Sequence, residues 1–290
     1  MDGFTEPYFA PAKLNLMLRV VGRRSDGYHL LQTVFRFIDY GDELRFRVRT
    51  DGVIARANHL PDIPEASDLC VRAAKALQQA GGTPLGADIL LEKRLPLGGG
   101  LGGGSSDAAT TLLALNHLWK TAFTRTQLLD LALKLGADVP VFVFGENALA
   151  EGIGEQLQAL DLPPAWYVVL CPPVAVSTAS VFSHPELKRD SQKVTIQGFT
   201  DGTSVADNVS VNIGVNDLQA LVIQQYPEVA RHLAWLSRHG AALMTGSGAC
   251  VFAAFDSEQK ARQVFAQRPA DMQGFVAQGL QRHPLRGLVR

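Results

Sequence analysis

Cysteine is scarce in this chain, with three in 290 residues, and Cys70, Cys171 and Cys250 stand far apart in apolar surroundings. That spacing excludes a disulfide framework and a thiolate metal site, and it reads as buried thiols in a reducing compartment, which points to the cytoplasm. An excess of one charge sign is missing too: 27 basic residues against 28 acidic ones leave a formal net charge of -1. Nothing basic enough for a nucleic-acid partner stands out, and no charge block marks a tail. No apolar run approaches the ~20 residues that a membrane span needs. The opening, Met1-Asp2-Gly3-Phe4-Thr5-Glu6, has no basic region ahead of an apolar one, so no secretory signal is expected. His59, His117, His184, His232, His239 and His283 lack metal-ligand spacing and read as surface or capping residues.

What is present is a chain with 47% hydrophobic and 19% charged residues, enough to build ample core. Its length favours two domains. Pro163-Pro164 marks the boundary, because paired prolines stop any preceding element. The division is therefore 1–162 and 163–290.

Within the first part, Ala12 to Val20 alternates as a strand, with Leu14, Leu16 and Leu18 on one face and Lys13 and Asn15 on the other, wet one. Leu44 to Arg49 alternates as a second strand, and Ala87 to Lys93 as a third. Asp68 to Ala80 carries a helical stripe that Gly81-Gly82 closes. Thr126 to Leu135 is a further helix ended by Gly136, and Val139 to Phe144 reads as a short strand. In the second part, Trp166 to Cys171 begins a new strand and helix series, Ser183 to Asn208 is a polar stretch, and helices follow at about 216–225 and 227–238. Ala241 to Phe255 reads as strand, tight turn and strand, and a last helix, N-capped by Ser257, runs to Gln267. The half-exposed alternation favours an antiparallel α+β arrangement over a doubly wound sheet.

The densest signal is Leu97-Gly98-Gly99-Gly100-Leu101-Gly102-Gly103-Gly104-Ser105-Ser106-Asp107, which follows a strand and enters the apolar helix Ala108 to Trp119. Glycines let backbone N–H groups approach a ligand with no Cβ in the way, and a helix start aims its unpaired N–H groups at the same point. The product is a phosphate cradle. A flexible linker would join polar segments, which these are not. Gly98, Gly100 and Gly103 satisfy the dinucleotide pattern only because the run is so rich in glycine, and no acid follows about 20 positions on. A Walker loop fails because Gly104 stands where lysine is required. The His-Arg-Asp and Asp-Phe-Gly words of protein kinases are absent.

Pro96 to Ser106 resembles the Pro-x-x-x-Gly-Leu-Gly-Ser/Gly-Ser-Ser signature of the small-molecule kinase superfamily of galactokinase, homoserine kinase, mevalonate kinase and phosphomevalonate kinase. Pro11-Ala12-Lys13-Leu14-Asn15-Leu16 and Thr245-Gly246-Ser247-Gly248-Ala249 resemble its two other segments, in the expected order. Arg24-Ser25-Asp26-Gly27-Tyr28-His29, Glu92-Lys93-Arg94-Leu95-Pro96, Gly136-Ala137-Asp138-Val139-Pro140, Asn216-Asp217-Leu218 and Pro227-Glu228-Val229 are similar to the branch whose acceptor is a cytidine-diphosphate-linked methylerythritol. Asp-Gly-Tyr-His discriminates, since the sugar and homoserine kinases lack it.

The resemblance implies an α+β two-domain kinase, with an N-terminal ATP-binding domain like the second domain of ribosomal protein S5 and a C-terminal ferredoxin-like domain. It implies ATP and Mg²⁺, a small-molecule substrate in the cleft between the domains, and no nucleic acid or membrane. ATP binding would fall to Lys93, Pro96, Gly98, Gly99, Gly100, Leu101, Gly102, Gly103 and Gly104, with Ser105 or Ser106 near the phosphates and Mg²⁺. Those serines equally suit helix N-capping. Asp138 would be the general base, accepting the alcohol proton as the O–P bond forms. By itself it reads as a loop aspartate bonded to its own backbone, with Val139 held extended by Pro140. Lys13 would favour the charged form of that aspartate and stabilise the developing alkoxide, against the plain alternative of a solvated strand lysine.

Asn15, Tyr28, His29, Phe35, Thr178 and Phe182 would hold the substrate, the aromatic rings stacking on cytosine at about 1–3 kcal/mol per base. Core packing is the competing reading for Phe35 and Phe182. Gly246, Ser247 and Gly248 would flank the phosphates from the second domain. One departure concerns adenine: relatives often carry asparagine where this chain has Asp68, which lacks the amide donor. Asp107 reads as an anion at a helix N-terminus. Two other readings stay open, a homoserine- or mevalonate-type kinase and a non-catalytic nucleotide-binding relative. Tyr28-His29 argues against the first, and Lys13 together with Asp138 against the second.

Overall fold

The computed structural model describes residues 3–61, 63–197 and 214–289; Met1-Asp2 and positions 198–208 of the polar stretch lie outside them. Two long strands organise the first half. β1 (Tyr8–Arg23) and β2 (His29–Arg49) pair antiparallel along their length, with Lys13 opposite Phe37 and Asn15 opposite Phe35. β3 (Ile54–Arg56) lies parallel to β4 (Gly86–Glu92), which pairs with the end of β2. β5 (Ala148–Glu151) joins the start of β2 and carries β6 (Gln156–Ala159). Helices α1 (Leu69–Gly81), α2 (Gly103–Leu118), α3 (Arg125–Leu135) and α4 (Val139–Phe144) share one core cluster with this sheet, around Phe37, Phe46, Leu112, Leu115 and Phe142.

In the second half β7 (Trp166–Leu170) sits between β9 (Val251–Phe255) and β10 (Gly274–Leu280), and β8 (Ala242–Met244) pairs with β9. Helices α6 (Gln219–Gln225), α7 (Pro227–Leu236) and α8 (Glu258–Ala266) cover one face; the short α5 (Thr178–Ser183) lies toward the cleft. Ser257 caps α8 as expected, its side chain accepting from Lys260 N.

The halves are welded rather than strung together. β10 pairs with β7 and, through Gly279 and Leu280, with β2, so one sheet runs β3-β4-β2-β10-β7-β9-β8. A cluster drawn from both halves, including Leu14, Leu16, Ile38, Leu101, Tyr167, Val169 and Phe252, fills the junction. Fully buried Arg36 donates to the carbonyls of Leu162 and Pro163, where the chain crosses over. Gly279 makes room for it, since a Cβ there would lie 2.3 Å from the guanidinium.

Three expectations need correction. Val139–Phe144 is a helix, not a strand: six apolar residues carry no alternation to choose between the two, all but Phe144 are buried, and Pro140 suits the first turn of a helix. Gly145, at φ +78°, ends it. The face carrying Lys13 and Asn15 is not wet; each is 2% exposed, because the second half covers it. Nor is every histidine a surface or capping residue. His232 is fully buried within α7, its Nδ1 2.7 Å from the carbonyl of Glu228. His283 does cap, accepting from Leu285 N at 3.1 Å, yet it is 2% exposed and packed edge-on to Phe37. Burial, with Arg125 adding to it, lowers its pKa to about 3.

Candidate active site

The glycine loop is held open at a helix start. Gly98, Gly100 and Gly102 take positive φ, and Gly102 occupies the N-cap position of α2, which no side chain caps. The first N–H groups of α2 are thus left for an anion. Leu101, 1% exposed, anchors the loop in the core between the halves, and its carbonyl accepts from Lys13 N at 2.9 Å. At Gly100 the fit is closest, since a Cβ would stand 2.2 Å from the carbonyl oxygen of Thr245.

Just under the loop, Lys93 lies between two buried carboxylates, bonded to Asp42 and, at 2.8 Å, to Asp107. Burial alone would lower the lysine's pKa; Asp107 and Asp42 outweigh it and raise it. One ammonium cannot balance both carboxylates, and burial, reinforced by Asp42 against the pull of Lys93, pushes Asp107 up to about 8. Asp42 also accepts from the N–H groups of Arg94 and Leu95, fixing the approach to the loop. Asp107 is therefore part of an ion cluster rather than a free anion at a helix start. Asp68 caps α1 through Cys70 N and pairs with Arg56 at 3.0 Å, so its carboxylate is already engaged.

Lys13 Nζ donates to Asn15 Oδ1 at 2.5 Å and Gly100 O at 2.9 Å, and forms an ion pair with Asp138 Oδ2 at 3.4 Å. Asp138 lies between α3 and α4 at the N-cap position of α4, yet its side chain does not cap the helix and is 39% exposed to the cleft. Asn15 is braced from three directions: its amide donates to Thr33 Oγ1 at 2.8 Å, its backbone N–H to Thr245 Oγ1 at 3.0 Å, and Oδ1 also accepts from Thr245. Thr245 shares its one hydroxyl hydrogen between Asn15 Oδ1 and Gly100 O, the latter at 3.2 Å, so one hydroxyl ties β1, the glycine loop and the β8–β9 loop together. Asn216 holds that last loop by donating to Met244 O and Gly246 O.

Lys13, Asn15, Thr33, Gly100 and Asp138 line a cavity of about 330 Å³ that also takes in Phe35, Gly98, Gly102, Ser105, Thr178, Phe182, Gly246 and Ser247. A second cavity of about 470 Å³ adjoins it, lined by Arg23, Tyr28, His29 and Ser183 and sharing Leu31, Ala137, Ile153, Thr178 and Phe182 with the first. Here Phe182 packs on the His29 ring at 5.0 Å, and Tyr28, 61% exposed, stands at the rim. The Thr178 and Ser247 hydroxyls bond at 2.7 Å where the cavities meet.

Phe35 does not join Tyr28 and His29. Six residues along an extended strand is about 20 Å, and Phe35 forms the floor of the first cavity, its ring centroid 5.5 Å from Lys13 Nζ. The serines separate as well. Ser106 is fully buried and donates to Pro11 O at 2.7 Å, while Ser105 faces the cleft. Residue type and spacing alone do not single out Thr33, Thr245, Asn216 or Arg189. Thr33 shares the strand pleat of Phe35, and Thr245 and Asn216 lie inside matched words, so those three left a trace; Arg189, in a polar stretch, left none.

An anion loop at a helix start, an ammonium pinned against a cleft-facing carboxylate, and two covered half-molecules define a GHMP-type small-molecule kinase. Residues 68–146 match the GHMP kinases N terminal domain, and 199–273 the GHMP kinases C terminal. The 4-diphosphocytidyl-2-C-methyl-D-erythritol kinase of Nitrosospira multiformis is 62% identical over 279 residues, 95% of this chain and 92% of that protein. The protein of the same name from Thiobacillus denitrificans is 55% identical, covering 98% and 99%. A crystal structure of 4-(cytidine 5'-diphospho)-2C-methyl-D-erythritol kinase superposes with a TM-score of 0.79 at 33% identity, covering 94% of this chain and 98% of that one. Homoserine kinase from Cytophaga hutchinsonii, at 17% identity and a TM-score of 0.65 over 98% and 96% of the two chains, shares the fold. The chain belongs to the 4-diphosphocytidyl-2-C-methyl-D-erythritol kinases, and it is an ATP-dependent kinase.

Proposed function

We propose that this kinase transfers the γ-phosphoryl group of ATP to the 2-hydroxyl of 4-diphosphocytidyl-2-C-methyl-D-erythritol. The observation that carries the reading is the pairing of two cavities: one holds Lys13, Asp138 and the glycine loop, and the other, adjoining, holds Tyr28, His29 and Phe182. An elongated acceptor with an aromatic base at one end and an alcohol at the other suits that shape. Tyr28 and Phe182 supply rings for stacking, and His29 a polar edge.

The glycine loop and the open end of α2 cradle the triphosphate, with Ser105 rather than Ser106 as the hydroxyl within reach. Asp138 takes the alcohol proton as the new O–P bond forms and the bond to the β-phosphate oxygen breaks, releasing ADP. Lys13 lies beside it to offset the negative charge that develops on the attacking oxygen. Lys93 serves from beneath, holding the loop's flanks through Asp42 and Asp107. Among the described residues no group of three or more histidine, cysteine or acidic side chains could cage a metal. Ser105 and Asp138 present oxygens to the cleft and would complete the shell of a Mg²⁺ carried in on the nucleotide. Bound there, the ion would neutralise phosphate charge.

The division of labour runs at 162/163, with ATP held by 1–162 and the substrate side completed by 163–290. Three free thiols and the lack, among the described residues, of a helix long and apolar enough to cross a membrane support a cytoplasmic enzyme. An ADP-release assay over cytidine-tagged and untagged alcohols tests the reading: turnover confined to the cytidine-tagged methylerythritol is expected, and equal or greater turnover of homoserine or mevalonate would overturn it.

A further inference from the structure

Arg189 lies outside every motif that carries the reaction, yet all five of its N–H groups are engaged. Nη2 donates to the carbonyls of Phe182 and His184 at 3.1 and 2.7 Å, and Nη1 to those of Leu187 and Pro185 at 3.0 and 3.4 Å. The fifth, on Nε, is directed at His29 Nε2 at 3.0 Å. A guanidinium only donates, so the ring nitrogen it meets must offer its lone pair. The neutral ring then carries its proton on Nδ1, for which no hydrogen bond to the protein is seen among the described residues. Burial first, and the neighbouring Arg189 and Arg23 charges after it, lower the pKa of His29 and keep the ring neutral.

We propose that Arg189 is a positioning residue for base recognition: it sets His29 in the Nδ1–H form and so determines which base the second cavity accepts. The inference rests on the cytidine reading above. An N–H donor at that edge matches a pyrimidine whose N3 is an acceptor, as in cytosine, and opposes one whose N3 bears hydrogen, as in uracil. The same guanidinium grips the carbonyl of Phe182, whose ring packs on His29, so one side chain aligns both the stacking surface and the polar edge.

The test combines a spectroscopic and a kinetic measurement on the full chain. Long-range ¹H–¹⁵N correlation of the wild-type histidine rings, with His29 assigned from its loss in His29→Gln, should show the proton on Nδ1. In Arg189→Met the proton should move to Nε2 or exchange between the two nitrogens. The preference for a cytidine-tagged over a uridine-tagged acceptor should fall by about tenfold, through KM for the acceptor rather than kcat or KM for ATP. Arg189→Lys keeps a donor for Nε2 without the carbonyl grip, and should retain both the Nδ1–H signature and most of the preference. A wild-type ring protonated on Nε2 would overturn the proposal. So would an Arg189→Met enzyme that loses both acceptors equally. Should wild type phosphorylate no nucleotide-tagged alcohol, the substrate reading fails, while the ring spectrum still decides the tautomer.

Discussion

Gly100→Ala probes the junction on which the active site depends. The residue sits at φ +74°, where an L side chain costs about 1–2 kcal/mol, and the added Cβ would lie 2.2 Å from the Thr245 carbonyl oxygen and 3.0 Å from that of Gly248. To reach even the closest contact real Cβ atoms show, the glycine loop and the β8–β9 loop must part by about 0.8 Å. Neither can yield cheaply. Leu101 is buried in the core next to Gly100, and Asn216 holds the opposing loop through two carbonyls. The separation stretches the bonds from Lys13 Nζ and Thr245 Oγ1 to Gly100 O, and with them the placement of Lys13 against Asp138. A displacement of that size at the reacting groups costs about a hundredfold in turnover, alongside about 1–3 kcal/mol of stability. ADP release at saturating substrates reads the first, and a urea midpoint the second. Gly104→Ala is the comparison: its Cβ would make only an ordinary 3.5 Å contact with Leu69 in a helical turn, so its loss should be at least about tenfold smaller. A Gly100→Ala enzyme within about threefold of wild-type kcat would refute the junction argument.

Three further outcomes are expected. Asp138→Asn keeps the shape but not the proton acceptor, so kcat should fall by about two orders of magnitude or more while ATP binding by calorimetry holds; unchanged turnover removes Asp138 as the base. Tyr28→Ala, at the exposed rim of the second cavity, should raise KM for the cytidine-tagged acceptor far more than for ATP, and an equal rise in both contradicts the placement. His283, held at about 3 in the fold, binds no proton where the unfolded chain does, so its contribution is complete above about pH 6.5 and is lost as pH falls toward 3. Between about pH 7 and about pH 5, wild type should therefore lose about 1–2 kcal/mol more than His283→Asn, which retains a capping acceptor; parallel pH curves from urea unfolding would count against it.

Much of the site was legible because its chemistry is local in sequence. The glycine run announces itself by residue type, the Ala12-to-Leu16 strand and the Gly136-Ala137-Asp138 turn only by their resemblance to family motifs, and the structure brings all three to one cleft. Legibility failed where neighbours in space decide. Val139–Phe144 has no polar residue to report its period, so only packing against α2 and α3 makes it a helix. Ser105 and Ser106 look alike on paper, yet successive positions of a helix turn about 100° apart, and one is sent to Pro11. Arg189 was invisible because its partners are mostly backbone carbonyls, which carry no sequence signature.

By itself, the sequence determined the glycine loop at a helix start and the strand and helix classes of most elements, since these follow from glycine's freedom and hydrophobic period, while the kinase family and the interest of Lys13 and Asp138 came from the resemblance of whole motifs. Tertiary structure alone decided that Lys13 is buried and paired with Asp138, that Phe35 floors the cavity beside Lys13 instead of joining the aromatic pair, and that β10 fuses the two halves into one sheet. Each depends on groups far apart in sequence, and burial and hydrogen-bond geometry exist only once the chain has closed on itself.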